Sequence, residues 1–196
     1  GLSGISHIPV QRVEGEGEKV QVKVCGLMGG HSGAEIDKNR ANANKLMGRF
    51  LYGLKKKAEY ALISLTGGQK DNAITRECTA EFLTDSVAEV KAYAKELQEQ
   101  LREEYTGSDE NITFEITEKG TATAEVLHPT SQEKIVFYLQ NVPFGIQKMS
   151  GTIKGLVETS SNIGILRLDR DELFASSSVR SSVDAACSAL SDKIEY

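Results

Sequence analysis

The 196-residue chain contains no tryptophan, only three histidines and only three cysteines. The cysteines are Cys25, Cys78 and Cys187, an odd number without a CxxC spacing, so they form no disulfide framework. We interpret them as buried thiols of a reducing compartment. This pattern predicts a cytoplasmic protein.

The chain also lacks an excess of positive charge. Lysine and arginine number 23 against 28 aspartates and glutamates, which gives a formal net charge of −5 at pH 7. A nucleic acid or an anionic membrane attracts a basic surface, so this balance argues against both as partners. No apolar run approaches the roughly 18 residues of a membrane span, and the first ten residues do not have the order of a signal peptide.

The chain does contain an ordered series of amphipathic segments. The glycine-rich residues 1–17 predict an extended lead-in linker. In residues 18–120 the hydrophobic periodicity predicts the order βαββαβ, with residues 73–84 as the third strand. This order is typical of a ferredoxin-like antiparallel sheet with helices on one face, in the α+β class. Residues 121–196 predict a helix, a strand hairpin and a last helix that extend the same sheet.

Two capping-box patterns mark the predicted starts of the first two helices. Ser32 and Glu35 have the S-x-x-E spacing, so we expect Ser32 to be the N-cap of a helix that continues to Leu54. Ser86 and Glu89 repeat this spacing before the second helix.

The stretch GLMGGHSGAEI, residues 26–36, places His31 between glycines at the predicted start of the first helix. Free N–H groups and the helix dipole create a positive potential there, and glycines let a ligand approach closely. The pattern favours a hydrogen-bond donor directed at an anion. Alternatively, the glycines only form a turn and His31 is an ordinary surface residue. No second histidine, cysteine or carboxylate pair has ligand spacing on this helix, so no metal site is predicted.

The chain resembles one enzyme family in three stretches that occur in the family's order. They are VKVCGLMGGHSGAEIDKNRANANKLMGRFL, TGGQKDNAITRECTAEF and GLVETSSNIGILRLDRDELFASSSVRSSVDAA. All three resemble the inserted lid, or dimerisation, domain of the zinc-dependent aminoacyl-histidine dipeptidases, also called cytosolic non-specific dipeptidases. The likeness covers nearly the whole chain.

The resemblance implies a hydrolase whose catalytic domain binds two zinc ions through an H-x-D motif, a Glu-Glu pair and further ligands. Neither motif occurs here in a metal-binding context, so we interpret the chain as the lid alone, without the zinc-binding catalytic domain. By itself it is expected to be inactive and to bind no metal. The resemblance also implies a dipeptide substrate of the Xaa-His type and a homodimer formed through this domain.

Residue by residue, the resemblance implies three functional positions. His31 is expected to be catalytic, as the donor that stabilises the oxyanion, while Asn72 hydrogen-bonds the substrate and Arg180 holds the C-terminal carboxylate of the dipeptide. Without the resemblance, Asn72 would be a turn former and Arg180 a solvated residue at a strand end.

The other basic residues receive no role in catalysis. Arg76 lies on the apolar phase of its strand, where it either pairs with an acid or contacts substrate, and we favour the ion pair. His7 and His128 lie in flexible or turn-like stretches. The alternative function is a free-standing ferredoxin-like module that captures a small anionic metabolite at the GGHSG helix start.

Overall fold

The computed structural model describes residues 2–181. The predicted last helix, which contains Cys187, lies outside the described residues. Within them, the chain forms ten strands and three α-helices in this order: β1 Leu2–Pro9, β2 Arg12–Cys25, β3 Gly30–His31, α1 Ala43–Leu54, β4 Tyr60–Gly67, β5 Ala73–Ile74, β6 Cys78–Thr84, α2 Val87–Glu104, β7 Thr113–Leu127, α3 Pro129–Asn141, β8 Gly145–Met149, β9 Val157–Leu168 and β10 Glu172–Ser181. None of these helices is long and apolar enough to cross a membrane.

Eight of the strands form one antiparallel sheet. The order is β1-β10-β9-β4-β6-β2-β7, and β8 pairs with β9 from the side. The segment β4-β6-β2-β7 with α1 and α2 has the ferredoxin-like arrangement, so the predicted α+β class and the βαββαβ order are confirmed. The hairpin of β9 and β10 extends the same sheet, as predicted.

The helices pack on the sheet through one apolar core. Val20, Val22 and Val24 of β2 are fully buried, as their alternation predicts. Phe50 of α1 lies at the centre, with its ring 5.5 Å from that of Tyr93 and 5.3 Å from that of Phe114. These contacts join α1, α2 and β7 in one core.

The prediction of a linker over residues 1–17 is wrong. This segment forms β1, which pairs with β10, and the first part of β2, which pairs with β7. Gly15 and Gly17 serve close strand packing, because a Cβ on Gly15 would lie 3.0 Å from Val126 and one on Gly17 would lie 3.3 Å from the carbonyl oxygen of Thr84.

The predicted helix start at Ser32 is also wrong. The α-helix begins at Ala43, and the side chain of Asn42 is its N-cap, accepting hydrogen bonds from the N–H groups of Asn44 and Lys45. Residues 29–40, here called the His31 loop, contain positive φ angles at Gly29, Gly30 and Asn39, which interrupt a right-handed helix. Ser86 does flank α2, but its side chain makes no capping hydrogen bond.

The predicted strand over residues 73–84 is divided in two. Ala73 and Ile74 form β5, which pairs with Gly30 and His31 of β3 in a separate two-stranded ribbon. The main-sheet strand β6 starts only at Cys78. This division brings the His31 loop against residues 68–73, here called the Asn72 turn.

Candidate functional site

His31 is exposed, and its ring is held by its own loop. The Nδ1 atom accepts hydrogen bonds from the backbone N–H groups of Gly33 at 3.0 Å and Ala34 at 3.2 Å. A ring nitrogen that accepts carries no proton, so in the neutral imidazole the hydrogen is on Nε2. The ring therefore presents an Nε2–H donor while Nδ1 is anchored.

Glu35 fixes the backbone of the same loop. Its carboxylate accepts the N–H of His31 at 2.8 Å and pairs with Arg40 at 3.1 Å, and Arg40 also donates to the carbonyl of Gly29 at 2.7 Å. The hydrogen bond from the His31 backbone is the main cause that lowers the pKa of Glu35, and Arg40 and Lys38 act in the same direction. Glu35 thus supports His31, whereas sequence spacing had assigned it to Ser32.

Arg180 lies beside the His31 loop. Its guanidinium packs on Gly33, where a Cβ would lie 2.9 Å from both Cζ and Nε of the arginine. Two residues earlier on β10, the hydroxyl of Ser178 is 3.3 Å from that of Ser32. Gly33 therefore leaves the space that the guanidinium occupies.

Asn72 is exposed and joins the same group through its backbone. Its carbonyl oxygen accepts two hydrogen bonds from Ser32, from the N–H at 2.9 Å and from the hydroxyl at 3.0 Å. The next residue, Ala73, pairs with His31. The structure therefore brings His31, Asn72 and Arg180 together around the buried Ser32, although they come from segments far apart in sequence.

Sequence reasoning missed the buried amides beneath these residues. Asn42 and Asn162 are each 1% exposed, and Asn42 Nδ2 donates to Asn162 Oδ1 at 3.1 Å. Asn162 also binds the Asn72 turn. The available signal was an asparagine directly before the apolar run IGIL of a strand, since a buried amide needs polar partners.

The remaining basic residues lie elsewhere or have structural contacts. Arg76 makes no ion pair within residues 2–181, contrary to the favoured interpretation. Its Nε donates to the carbonyl of Leu27 at 3.4 Å, and its stem lies against Gly29. His7 contacts Glu172 at 3.0 Å, and His128 is the N-cap of α3.

The described residues hold no cluster of three or more histidine, cysteine, aspartate or glutamate side chains that could bind a metal ion. The residues around Ser32 supply instead an imidazole N–H, an amide side chain and a guanidinium. These groups fit a ligand that carries a carbonyl and a carboxylate.

Comparison with known proteins gives the family context. Residues 22–109 match the family model described as "Peptidase dimerisation domain". The cytosol non-specific dipeptidase of Escherichia coli strain K12 is 31% identical over 181 residues, which cover 91% of this chain and 37% of that protein.

A solved structure extends the match to the fold. The aminoacylhistidine dipeptidase from Vibrio alginolyticus superposes with a TM-score of 0.86 at 27% identity, covering 98% of this chain and 40% of that one. The chain thus spans about two fifths of the length of these relatives. Residues 22–109 thus match a peptidase dimerisation domain, and nearly the whole chain is similar to part of two dipeptidases.

Proposed function

We propose that this chain is the lid of a dipeptidase and that it binds the dipeptide while a separate domain carries out the chemistry. The supporting observation is the meeting of His31, Asn72 and Arg180 around Ser32. An Xaa-His dipeptide is the proposed substrate, in agreement with the name of the Vibrio alginolyticus relative.

Each of the three side chains has a proposed task. The Nε2–H of His31 donates to the oxygen that gains negative charge when water attacks the scissile carbonyl, and one such donor is worth about 3 kcal/mol in the transition state. The planar guanidinium of Arg180 holds the C-terminal carboxylate through two parallel hydrogen bonds. The Asn72 side chain hydrogen-bonds the substrate and fixes its orientation.

Zinc belongs to the proposed enzyme but not to this site. Imidazole, amide and guanidinium on this surface do not form a zinc ligand set, because a guanidinium stays protonated and repels a cation. In the proposal a separate catalytic domain would hold two zinc ions, and these ions would supply the activated water. The chain's own residues bind and orient the dipeptide.

The alternative, a free-standing module that captures an anionic metabolite at a helix start, has lost its main support. It required the free N–H groups of a helix beginning at Ser32, whereas α1 begins at Ala43 and is capped by Asn42. The N–H groups of Gly33 and Ala34 are occupied by His31.

A homodimer formed through this domain is also part of the proposal, and β7 is the edge that suits it. Within residues 2–181 this strand of 15 residues pairs with β2 alone, at the end of the sheet. An edge strand offers unpaired backbone groups to a second chain. Along an edge strand the N–H groups point alternately toward the neighbouring strand and outward. Of the two neighbouring variants Ala122→Pro and Thr123→Pro, one therefore removes an outward N–H and leaves the pairing with β2 intact. Light scattering is expected to show a dimer for the wild type and a monomer for the variant that loses the outward N–H. If both proline variants fold and stay dimeric, this edge is excluded as the dimer interface.

The cellular location proposed is the cytoplasm. The buried thiols Cys25 and Cys78 remain free, which suits a reducing compartment, and the Escherichia coli relative is named as a cytosol enzyme.

The test of the proposed site is a titration of the isotope-labelled chain with an Xaa-His dipeptide, followed by NMR. The same dipeptide with a C-terminal amide is the matched ligand, and Arg180→Met is the matched variant. We expect the amide to bind the wild type at least tenfold more weakly than the acid, and we expect Arg180→Met to abolish this difference. Equal binding of acid and amide to the wild type would refute the carboxylate role, and equally tight binding of acetate would favour a general anion site.

A further inference from the structure

We propose that Asn162 is a positioning residue that sets the relative places of His31 and Asn72. Its side chain is buried on β9 and makes three hydrogen bonds to other segments. Nδ2 donates to the carbonyls of Asp71 at 3.0 Å and Ala73 at 2.8 Å, while Oδ1 accepts from Asn42 Nδ2 at 3.1 Å. The relevance of this role to dipeptide binding rests on the proposed function.

The two carbonyls that Asn162 binds flank Asn72 on both sides. The carbonyl of Asn72 in turn accepts both hydrogen bonds from Ser32, the neighbour of His31. Two sets of hydrogen bonds, joined by the backbone of the Asn72 turn, therefore connect the amide of Asn162 to the His31 loop. Moving the Asn72 turn must shift the acceptor on which Ser32 depends.

A second observation shows how closely the turn lies on β9. Gly164 is two residues beyond Asn162, and a Cβ at this position would overlap the backbone of Lys70 and Asp71. The hydroxyl of Thr75, just after the turn, lies 3.2 Å from the carbonyl oxygens of both Ile163 and Gly164 and shares its one hydrogen between them. The Asn72 turn thus rests on the sheet, and Asn162 is the side chain that binds it on both sides of Asn72.

The other partner of Asn162 extends the connection to α1. Asn42 caps this helix with its side-chain oxygen and gives its Nδ2 hydrogens to Asn162 and to the carbonyl of Ile163 at 2.9 Å. Removing the Asn162 amide would leave two partly buried carbonyls and one buried amide donor without this partner, and the turn would move to regain hydrogen bonds. Helix, sheet and turn are therefore coupled at one residue.

The test compares Asn162→Ala with Gln132→Ala. Gln132 is a matched control: it is also a buried amide that binds two backbone groups, the carbonyl of Tyr60 at 3.0 Å and the N–H of Leu62 at 2.7 Å, but on α3 and β4. Both variants are expected to lower the melting temperature. The readout is amide hydrogen exchange at Ser32, whose N–H donates to Asn72. Exchange should be about tenfold faster in Asn162→Ala, the factor expected for the loss of one or two hydrogen bonds, and unchanged within twofold in Gln132→Ala.

Unchanged exchange at Ser32 in Asn162→Ala, with a melting temperature lowered as in the control, would overturn the inference. If Asn162→Ala does not fold, Asn42→Ser takes its place, because serine keeps a capping oxygen and loses the donor to Asn162. It is expected to speed exchange at Ser32 by about threefold, and no change would count equally against the inference. Since this readout needs no ligand, it remains valid if the dipeptide titration refutes the proposed function.

Discussion

Replacing Gly33 with alanine should weaken ligand binding without lowering stability. The backbone of Gly33 has no positive φ, so alanine can adopt its conformation. An alanine Cβ, however, would lie 2.9 Å from Cζ and Nε of Arg180, where contacts of 3.4 Å or more are ordinary. To reach an ordinary contact distance, the guanidinium has to withdraw by about 0.5 Å or more. It can do so because the close atoms belong to the flexible end of a side chain.

The expected magnitudes have opposite signs for stability and for binding. Glycine to alanine at a compatible position stabilises a protein by about 0.4–1 kcal/mol, through the lower entropy of the unfolded chain. A displaced guanidinium loses one of two parallel hydrogen bonds to a carboxylate, which weakens binding about tenfold. Urea denaturation measures the first effect, and NMR titration with the Xaa-His dipeptide measures the second.

Gly151→Ala is the matched control for this experiment. Gly151 has no positive φ, and its added Cβ would meet nothing within 4 Å. This variant should keep wild-type dipeptide affinity. If Gly33→Ala folds normally and binds the dipeptide as tightly as Gly151→Ala does, Arg180 is not the carboxylate ligand.

Three further experiments test the core and the loops that support the site. Phe50→Ala should lower the free energy of unfolding, measured by urea denaturation, by about 3–5 kcal/mol, because Phe50 is fully buried. Tyr52 is half exposed, so Tyr52→Ala should lower it by less than about 1 kcal/mol. Equal losses in the two variants would contradict the described core. Asp109→Asn should lower the free energy of unfolding by about 2 kcal/mol. Both carboxylate oxygens of the buried Asp109 accept hydrogen bonds from backbone N–H groups, whereas an amide has only one accepting oxygen. An unchanged free energy of unfolding would contradict these hydrogen bonds. The pKa of Glu35 is lowered by the His31 N–H and by Arg40, so its contribution to stability is complete above the ordinary glutamate value of about 4.3 and is lost as pH falls through the lowered value. In thermal melts between about pH 3 and 6, Glu35→Gln should reduce the fall in melting temperature at acid pH. An unchanged fall would show that Glu35 does not contribute to it.

Hydrophobic periodicity was sufficient to predict the ferredoxin-like part of the fold. The alternation of Val20, Val22 and Val24 and the apolar face around Phe50 each depend on burial of one side of an element, which a local pattern records. The same patterns predicted β9 and β10 as an extension of the sheet.

Local patterns failed where distant partners decide the structure. The S-x-x-E spacing predicted a helix at Ser32, but the hydroxyl of Ser32 binds Asn72 and the carboxylate of Glu35 binds Arg40 and the His31 backbone. The role of Asn162 depends on partners 89 to 120 residues away in sequence, which no spacing rule reaches. The resemblance to a family suggested His31, Asn72 and Arg180, and only the contacts of their segments place all three near Ser32.

The most direct test of the central claim is a chemical-shift map of the isotope-labelled chain with an Xaa-His dipeptide at saturating concentration. We expect the largest changes in the His31 loop, in the Asn72 turn and at residues 178–181, including the Nε–H of Arg180. Changes concentrated instead in the groove between α1 and α3, around Tyr52 and Phe137, or at only one of the three segments, would contradict the central claim.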